Sequence, residues 1–487
     1  MGKVILVGAG PGDIGLLTIK GKECVEKADC IVYDRLLSPE LLAMAKPGCE
    51  CIYVGKENHK HVMKQDDINE LLYRKAEECA LTVRLKGGDP YVFGRGGEEA
   101  LYLQERGIEV DEVPGVSSSV AALASAGIPI THRGMAKGFH VITAHSRKDE
   151  PTNIDYTLFG DSEETGVFLM GLSHVEEVAK GLMDAGRDKD TPVAVVSHGT
   201  TAQQRTVRGT LADIADKVEK AEVTSPAIIV VGTVVSLSEQ LNFHEKAPLF
   251  GKRYLVPYVG DHALAKQLSE KGAEVTAVPV GQIEQLRWNA SSEEVRAILE
   301  GTDWLVFTSK HGVHAFVHSL MEKHLDIRSA AGAKFAVVGT KTREALFSYG
   351  IRADYVAKGQ SGESLARELH DTILREDSKS IRCVYISAEQ PAFDMGEVLS
   401  SVCDYRQIAL YKNRELSFTI RVENYDGIFF TSASAVRRVC PRLSDLSVPV
   451  YSIGPSCTKA LQQYGATHIV QSETPSYEAM IELAEKA

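Results

Sequence analysis

The amino-acid sequence predicts an α/β protein built from several domains. Its 487 residues are enough for about three domains of roughly 150 residues each. Through the first half, apolar runs of strand length alternate with amphipathic helical patterns, and the second half contains a faint internal repeat. Hydrophobic residues make up 44% of the chain and charged residues 25%, which is typical of a globular protein and excludes a disordered or fibrous one.

The first half begins with elements in alternating β and α order. Strands are predicted over residues 3–7, 30–33 and 81–85, and helices over 14–28 and 66–79. Such alternation predicts parallel sheets covered by helices. A break at Pro114-Gly115 divides this half into two lobes. Periodicity is lost again at 241–248, which predicts a linker.

The second half contains two pairs of similar segments. The run FTSKHGV at 307–313 is echoed by FTSASAV at 430–436, and residues 338–350 are echoed by 453–465. Each segment has the pattern of an apolar strand, a small polar turn and an amphipathic helix. We therefore expect two similar α/β lobes that face each other, with Thr- and Ser-rich helix N-termini at the rim of a cleft.

Charge and composition exclude several classes of function. A net charge of −12 at pH 7 disfavours a nucleic-acid binder, and no apolar window is long enough for a membrane helix. Residues 1–8 predict a buried strand rather than a signal peptide, so we expect a cytoplasmic protein. The nine cysteines include no CxxC pair, and His132 and His145 lack a third ligand at useful spacing, so we expect no disulfide and no metal. Cys49 and Cys51 share one strand face, where core packing is favoured over metal binding.

Two glycine-rich stretches predict loops that approach a ligand closely. Residues 8–13, GAGPGD, join a strand to a helix, but Asp13 stands where a dinucleotide-binding fingerprint has its third glycine. Five glycines among residues 87–97 directly follow the strand at 81–85. Glycine costs conformational entropy that an ordinary loop does not require, which favours ligand-binding loops. A structural turn for the first stretch and a mobile surface loop for the second are the alternatives.

Ordered motifs across residues 1–245 carry a resemblance to a known family. They are VGAGPGD, VYDRL, VRLKGGDPYVFGRGGEE, VPGVSS, GIPITHR, MGL, PVAVVSHGT and SPAIIVVG. On these motifs the first half resembles uroporphyrinogen-III C-methyltransferase, a tetrapyrrole methylase that uses S-adenosylmethionine. The resemblance implies the two-lobed methylase fold, with lobes of about 1–114 and 115–245, and a homodimer through this half. It also implies a methyl-donor site lined by Pro11, Gly87, Gly88, Asp89, Val92, Ser117, Ser118, Met170 and Gly199.

The same resemblance implies acid–base roles, with Asp34 as proton acceptor and Lys56 as proton donor. Methyl transfer from a sulfonium to an electron-rich pyrrole carbon leaves positive charge on the macrocycle, so a nearby carboxylate can take the released proton. From the residues alone, a salt bridge to Arg35 or a helix cap also explains Asp34. Because arginine binds carboxylates bidentately, we expect substrate carboxylates at several basic residues. These are Arg35, Arg95 and Arg133, with Arg84 and Lys86 as further candidates.

Residues 251–487 carry a second resemblance, to uroporphyrinogen-III synthase. It rests on FTSKHGV, KFAVVGTKT, IALY, DGIFFTSAS and YSIGPSCTKAL. The resemblance implies a bilobed, internally duplicated α/β synthase with flavodoxin-like lobes, which follows a linker at 246–250. One lobe comprises about 251–283 with 413–487, the other about 284–412, and a two-stranded connector joins them.

The second half shows no nucleophile–base pair, metal set or phosphate loop, so it must work by shape and hydrogen bonding. The resemblance implies loss of water and ring closure of the linear tetrapyrrole hydroxymethylbilane. We expect the Tyr411 hydroxyl to assist the leaving group, with a packed connector tyrosine as the alternative. Substrate carboxylates are assigned to hydroxyls that helix caps explain equally well, namely Thr308, Ser309, Thr431, Ser432, Ser434 and Thr458. Where relatives often have TS-x-N, this chain has TSKH.

Together the two halves predict a bifunctional enzyme. It would cyclise hydroxymethylbilane to uroporphyrinogen III and methylate that product twice to precorrin-2, towards sirohaem or cobalamin. S-adenosyl-L-methionine is the expected cofactor and tetrapyrroles are the expected partners, with no nucleic acid or membrane. Two alternatives stay open: the first half acts on another corrin intermediate, or the second half is a two-lobed ligand-binding or regulatory module.

Overall fold

The computed structural model describes residues 2–34, 39–55, 63–144, 154–159, 163–359, 361–376, 380–418, 420, 425–443 and 446–487. The chain divides into two compact units, each described below by itself. The first unit contains residues 1–257, 262–278 and 420–487. The second contains residues 258–261 and 279–419.

The first lobe of the first unit is a parallel five-stranded sheet with helices. Its elements are β1 (Lys3–Gly8), α1 (Ile19–Lys27), β2 (Cys30–Tyr33), α2 (Pro39–Ala43), β3 (Glu50–Tyr53), α3 (Gln65–Glu78), β4 (Leu81–Lys86), α4 (Gly96–Gln104) and β5 (Glu109–Val113). The strand order is β3-β2-β4-β1-β5, and every neighbouring pair is parallel. The carboxyl ends of all five strands therefore meet at one edge, where ligands of such sheets bind.

Most predicted elements of this lobe agree with the structure to within one residue, but the helix predicted over 14–28 does not. Residues Ile14–Leu16 form a separate single turn, whose cap is the Asp13 carboxylate. The helix α1 begins only at Ile19, because the Thr18 hydroxyl accepts a hydrogen bond from the Gly21 amide. Two successive N-caps, Asp13 and Thr18, therefore start two separate elements where the apolar periodicity predicted one helix.

The second lobe of this unit contains a mixed sheet. Its elements are α5 (Ser118–Ser125), β6 (Gly138–Thr143), β7 (Glu164–Leu169), α6 (Val175–Asp184), β8 (Pro192–Ser197), β9 (Arg205–Thr210), α7 (Ile214–Lys220), β10 (Ala227–Val231) and α8 (Ser238–Leu241). The order is β6-β7-β10-β8-β9, in which β6 and β7 are parallel and the other pairs antiparallel. The prediction of a parallel sheet is wrong here. A short loop joins β8 and β9 into a hairpin, and β10 inserts between β7 and β8.

The second half of the chain supplies the remaining elements. They are β11 (Arg253–Val259), α9 (Ala263–Glu270), β12 (Glu274–Gln285), α10 (Ser292–Glu300), β13 (Trp304–Phe307), α11 (Lys310–Glu322), β14 (Lys334–Val337), α12 (Thr340–Phe347), β15 (Tyr355–Val356), α13 (Gly362–Ile373), β16 (Arg382–Ala388), α14 (Gly396–Leu399), β17 (Asp404–Glu415), β18 (Gly427–Phe430), α15 (Ala433–Val439), β19 (Val450–Ser452), α16 (Pro455–Gln463), β20 (Ile469–Gln471) and α17 (Tyr477–Glu485).

Each unit arranges these strands around its own core. In the second unit the order is β15-β14-β13-β16-β17, followed by residues 279–285 of β12, and all pairs are parallel except that β12 and β17 run antiparallel. Phe307 and Phe316 pack there, with ring centroids 5.5 Å apart. In the first unit, β11, β18, β19 and β20 are parallel neighbours. The rings of Phe429 and Tyr451 stack in that core at 4.3 Å.

The echoed segments of the sequence take the same local structure. Ser309 caps α11 directly after β13, and Ser432 caps α15 directly after β18. The helices α12 and α16 are each preceded by a glycine and followed by a glycine with positive φ, +76° at Gly350 and +78° at Gly465. This agreement is local, and the internal duplication itself stays a prediction.

The segment predicted as a linker is folded. Glu245 is largely buried, and its carboxylate accepts hydrogen bonds from the side chains of Gln204, Thr206, Arg208 and Asn242. Burial raises the pKa of Glu245, but these hydrogen bonds lower it by more, so it lies below the ordinary value. Four residues later, Leu249 is buried in one cluster with Tyr254 and Leu264.

We expect Glu245→Gln to lower the free energy of unfolding at pH 7 by about 1 to 2 kcal/mol, because hydrogen bonds to a charged acceptor are stronger than those to an amide. The folded-state pKa is depressed, so the stabilisation is present above the ordinary carboxyl value of 4.5 and is lost as pH falls below it. The two proteins should therefore converge towards pH 3 in urea denaturation. Glu270→Gln, at an exposed helical ion pair with Lys266, is the control and should change stability by under about 0.5 kcal/mol. A pH-independent difference would contradict the assignment.

Candidate active sites

Three loops meet at the carboxyl edge of the first sheet. After β1 and β4, the backbones of Gly10 and Gly88 exchange two hydrogen bonds, with N···O distances of 3.2 and 2.7 Å. Both residues have positive φ, +78° and +69°, which glycine adopts without steric cost. The predicted glycine loops are thus joined to each other through their backbones.

Glycine is also required at the third loop, which follows β5 and contains Gly115. A Cβ on Gly115 would lie 2.1 Å from the carbonyl oxygen of Gly88, and one on Gly8 would lie 2.4 Å from the Gly115 nitrogen. A Cβ on Gly88 itself would meet nothing closer than 3.8 Å, so space beside this residue is open. The arrangement forms a cradle of backbone around the open space next to Gly88.

Asp89 and Ser117 fix the cradle. One Asp89 oxygen accepts from the Gly115 amide at 3.1 Å, and the other accepts from the amides of Tyr91 and Val92 at 2.9 and 3.2 Å. Ser117 caps α5 through the Ser119 amide. The structure therefore brings together six residues predicted to line the donor site, namely Gly87, Gly88, Asp89, Val92, Ser117 and Ser118.

A further loop, residues 198–204 between β8 and β9, lies against the first of these loops. The Asp13 amide donates to the Thr200 hydroxyl at 3.1 Å, and a Cβ on Gly12 would lie 2.6 Å from the Thr201 methyl. Gly199 thus lies beside the loop that contains Pro11. Thr200 was not predicted, although it ends the motif PVAVVSHGT. Met170 lies outside these contacts, half exposed after β7 with a φ of +57°.

Asp34 follows β2 at the same edge of the sheet. Its two carboxylate oxygens each accept a hydrogen bond from Nη2 of Arg84 at 2.9 Å. Arg84 is 2% exposed, whereas Asp34 is about one-third exposed. A guanidinium stays charged at all relevant pH values, so the ion pair holds Asp34 in a fixed orientation with one face open to solvent.

The Arg84 side chain is held in turn by a buried carboxylate. Oε1 of Glu99, which is fully buried, accepts from Nε of Arg84 at 3.2 Å, from Nζ of Lys86 at 3.0 Å and from Nε2 of Gln65 at 3.1 Å. Burial lowers the pKa of the Lys86 ammonium, and repulsion from Arg84 lowers it further, against the attraction of Glu99. Two cations and two carboxylates thus balance each other inside the lobe.

These contacts correct one expectation and give Asp34 a partner that was not predicted. Arg84 and Lys86 do not lie where substrate carboxylates could reach them, because both are buried and bonded to Glu99. The partner of Asp34 among the described residues is Arg84, where the sequence suggested Arg35 or a helix cap. Arg35 and Lys56 themselves lie outside the described residues.

Two other predicted substrate ligands are solvent-exposed. Arg95 is the N-cap residue before α4, in a left-handed conformation with φ +60°, and it pairs with Glu98 through Nε at 3.0 Å and Nη2 at 2.6 Å. Arg133 is exposed in the stretch before β6. Their positions permit contact with a carboxylate ligand without burying a charge.

In the second unit, Tyr411 lies on β17 and is 8% exposed. Burial raises the pKa of its phenol, and a hydrogen bond with Ser309 offsets part of that effect. The His311 ring lies beside it, with centroids 6.2 Å apart, and burial lowers the pKa of His311 to about 4. The Thr308 hydroxyl lies 2.8 Å from that of Tyr385. His311 and Tyr385 also belong to this cluster, and neither was predicted as a site residue. The sequence did single out His311, because it stands where relatives often have the Asn of TS-x-N.

The remaining predicted hydroxyls belong to the first unit. Ser432 accepts from the Ala435 amide at 3.2 Å and lies 3.0 Å from the Ser434 hydroxyl. The Thr458 hydroxyl lies 2.6 Å from that of Ser452, and Thr431 directly precedes the α15 cap. Among these contacts, that of Ser432 is the helix cap that the sequence left open, and carboxylate binding at all four residues stays a prediction.

Two other kinds of site are absent from the described part of the chain. There, no helix has the length and apolarity to cross a membrane. In the same residues, no group of three or more His, Cys, Asp or Glu side chains is placed to hold a metal ion.

Two family models match the chain. The Tetrapyrrole (Corrin/Porphyrin) Methylases match residues 3–215, and Uroporphyrinogen-III synthase HemD matches residues 262–482. The matched ranges fall on either side of the folded segment around Glu245.

Individual relatives agree with this division. The chain is 37% identical over 494 residues to the porphyrin biosynthesis protein HemD of Ruminiclostridium josui, covering 99% of this chain and 97% of that protein. It is 49% identical over 238 residues to a uroporphyrinogen-III C-methyltransferase of Methanocaldococcus jannaschii, covering 48% of this chain and 98% of that one. Among solved structures, the Thermus thermophilus uroporphyrin-III C-methyl transferase complexed with S-adenyl homocysteine is 41% identical, with a TM-score of 0.42, covering 48% of this chain and 93% of that chain.

We expect Arg84→Met to destabilise the protein by about 3 to 5 kcal/mol, because it leaves the buried Glu99 carboxylate with Lys86 as its remaining cation and removes the ion pair of Asp34. Arg95→Met removes an exposed ion pair and should cost no more than about 1 kcal/mol. Urea denaturation followed by circular dichroism measures both. Equal losses in the two variants would show that the buried pair contributes no more than a surface one.

Proposed function

The chain belongs to the tetrapyrrole methylases over its first half and to the uroporphyrinogen-III synthases over its second, and from that premise we propose a bifunctional enzyme. Its second half converts hydroxymethylbilane to uroporphyrinogen III, and its first half methylates that product twice with S-adenosylmethionine to give precorrin-2. The family match over both halves supports this pairing, because the product of one reaction is the substrate of the other. The observation that carries the methylation step is the Asp34–Arg84 pair beside the glycine cradle.

The donor is proposed to bind at the cradle beside Gly88. The open space there, the backbone of the three loops and the half-exposed Met170 fit an extended ligand with polar and apolar parts. Bound S-adenosylmethionine supplies a methyl group on a sulfonium. Pro11 and Gly199 belong to the same proposed site through the contact between their loops.

Asp34 is proposed to take the proton that the macrocycle loses. A new carbon–carbon bond forms as the carbon–sulfur bond breaks, the electron pair of that bond stays on sulfur, and the ring system becomes positively charged. The ring system becomes neutral again when it loses a proton to the exposed face of the Asp34 carboxylate. Arg84 holds the carboxylate for that step, and Lys56 is proposed as the proton donor.

The acidic side chains of the tetrapyrrole are proposed to bind at exposed arginines. Arg95 and Arg133 are accessible, and Arg35 follows Asp34 directly in the sequence. A guanidinium forms two parallel hydrogen bonds with a carboxylate, which suits a substrate with several acetate and propionate groups.

For the second half, the Tyr411 hydroxyl is proposed to assist departure of the hydroxyl group of hydroxymethylbilane. Departure as water requires a proton, and a tyrosine phenol is protonated at neutral pH and can donate one. Thr308 and Ser309 in the second unit, and Thr431, Ser432, Ser434 and Thr458 in the first, are proposed to bind the substrate's carboxylates. A homodimer through the first half and a cytoplasmic location complete the proposal.

We expect Asp34→Asn to lose methyl transfer by at least about a hundredfold while the affinity for S-adenosylhomocysteine stays within about threefold. Hydroxymethylbilane is supplied with and without S-adenosylmethionine, and products are identified by absorbance and mass. The wild type should form uroporphyrinogen III without donor and the dimethylated product with it, whereas Asp34→Asn should stop at uroporphyrinogen III.

The control is Asp111→Asn. Asp111 lies on β5 and forms an exposed ion pair with Lys3, so this variant should methylate at the wild-type rate. Wild-type rates from Asp34→Asn would refute the role of Asp34. Formation of the type I isomer alone by the wild type would refute the synthase assignment.

We expect Gly115→Ala to weaken S-adenosylhomocysteine binding by at least about tenfold, because its Cβ would lie 2.1 Å from the Gly88 oxygen and force the cradle loops apart. Gly97→Ala adds a Cβ with nothing within 4 Å and serves as the matched control. Isothermal titration calorimetry compares the two variants. Unchanged affinity in Gly115→Ala would remove the cradle from the donor site.

A further inference from the structure

The loop at 198–204 has contacts on two sides. On one side, the Thr200 hydroxyl accepts from the Asp13 amide of the first cradle loop at 3.1 Å. On the other, the Ala202 amide donates to Oε2 of Glu274 at 2.7 Å. Glu274 begins β12 and belongs to the synthase half, 72 residues further along the chain.

The carboxylate of Glu274 is itself oriented. Its other oxygen, Oε1, pairs with Nη2 of Arg253 at 2.8 Å, and both side chains are mostly buried. The Arg253 backbone is fixed in turn, because its amide donates to Asp426 at 2.8 Å and its carbonyl accepts from the Asp426 amide at 2.8 Å. A carboxylate held this way presents one oxygen to Ala202 in a defined position.

The loop needs such support because its backbone is unusual. His198 and Thr200 both have positive φ, +47° and +69°, which residues with a side chain adopt rarely. Such conformations persist only where the surroundings fix them. Within the loop, the Thr200 amide donates to Gln204 at 2.7 Å, and Glu274 adds a charged acceptor from outside.

We propose that Glu274 is a positioning residue for methyl transfer, through which the synthase half holds the donor-binding loop of the methyltransferase half in place. The proposal rests on the proposed function, in which Pro11 and Gly199 line the donor site. Loss of the carboxylate frees the Ala202 amide, loosens the loop around Thr200 and weakens donor binding. The chemical step, once donor is bound, depends on Asp34 and is unaffected.

The test compares Glu274→Ala and Glu274→Gln with Glu485→Ala in the full-length protein. Glu485 pairs with Lys271 at 3.1 Å in the same unit and has a similar exposure, 25% against 29% for Glu274, so it controls for the loss of an ion pair. Calorimetry gives the Kd for S-adenosylhomocysteine, and steady-state kinetics with uroporphyrinogen III gives KM for the donor and kcat.

Glu274→Ala should raise the Kd and the donor KM by about three- to tenfold, the effect of losing one hydrogen bond of ordinary net strength, with kcat within about twofold. Glu274→Gln retains an acceptor oxygen and should recover most of the affinity. Glu485→Ala should match the wild type.

Equal Kd values in Glu274→Ala and Glu485→Ala would overturn the proposal, as would a Glu274→Gln variant no better than Glu274→Ala. A thermal melt of each variant shows whether it is folded. If Glu274→Ala is unfolded, the Kd of Glu274→Gln is compared with that of Glu485→Ala instead. Absence of S-adenosylhomocysteine binding by the wild type would instead overturn the proposed donor site.

Discussion

The close approach of three backbone segments at Gly8, Gly88 and Gly115 is the constraint on which the rest of the first site depends. The strands β1, β4 and β5 end side by side, and no side chain fits between the loops that leave them. Hydrogen bonds between Gly10 and Gly88 and from the Gly115 amide to Asp89 therefore link all three loops. Since each loop position is determined by the other two, the space beside Gly88 has a fixed shape before any ligand enters it. Such preorganisation reduces the entropy that binding must overcome.

The buried charges next to that edge have a different role. An arginine in the centre of a sheet is costly to desolvate, and the cost is offset here because Arg84 contacts Asp34 on one side and Glu99 on the other. Lys86 supplies the second cation, so the group is balanced as a whole. The only member with substantial exposure is Asp34, at the edge where the loops emerge. The interior charges thus orient one carboxylate at the surface without exposing the cations that hold it.

The sequence predicts what local patterns determine. Strands of the first lobe and the glycine loops follow from periodicity and turn chemistry, and both agree with the structure. The start of α1 at Ile19, later than the predicted residue 14, could have been read from the sequence, because Thr18 is a good N-cap, but the apolar periodicity concealed it. Contacts between residues far apart in the chain leave no local pattern in the sequence. The insertion of β10 between β7 and β8, the choice of Arg84 as partner of Asp34 fifty residues earlier, and the contact from Glu274 to the loop at 198–204 all depend on tertiary packing.

The folded segment around Glu245 leaves almost no free chain between the two halves. Glu245 is bonded into the first half, whereas Ala247 packs against Gly272, and Leu249 is buried with the second. Lys246 alone separates them, and one residue contributes only two soft backbone dihedrals. In a long flexible tether, chain length would set the effective concentration of one half around the other. Here the residues on both sides of Lys246 belong to one compact unit, so a few flexible residues inserted at this point would add backbone freedom where the chain now has almost none, without altering any side chain.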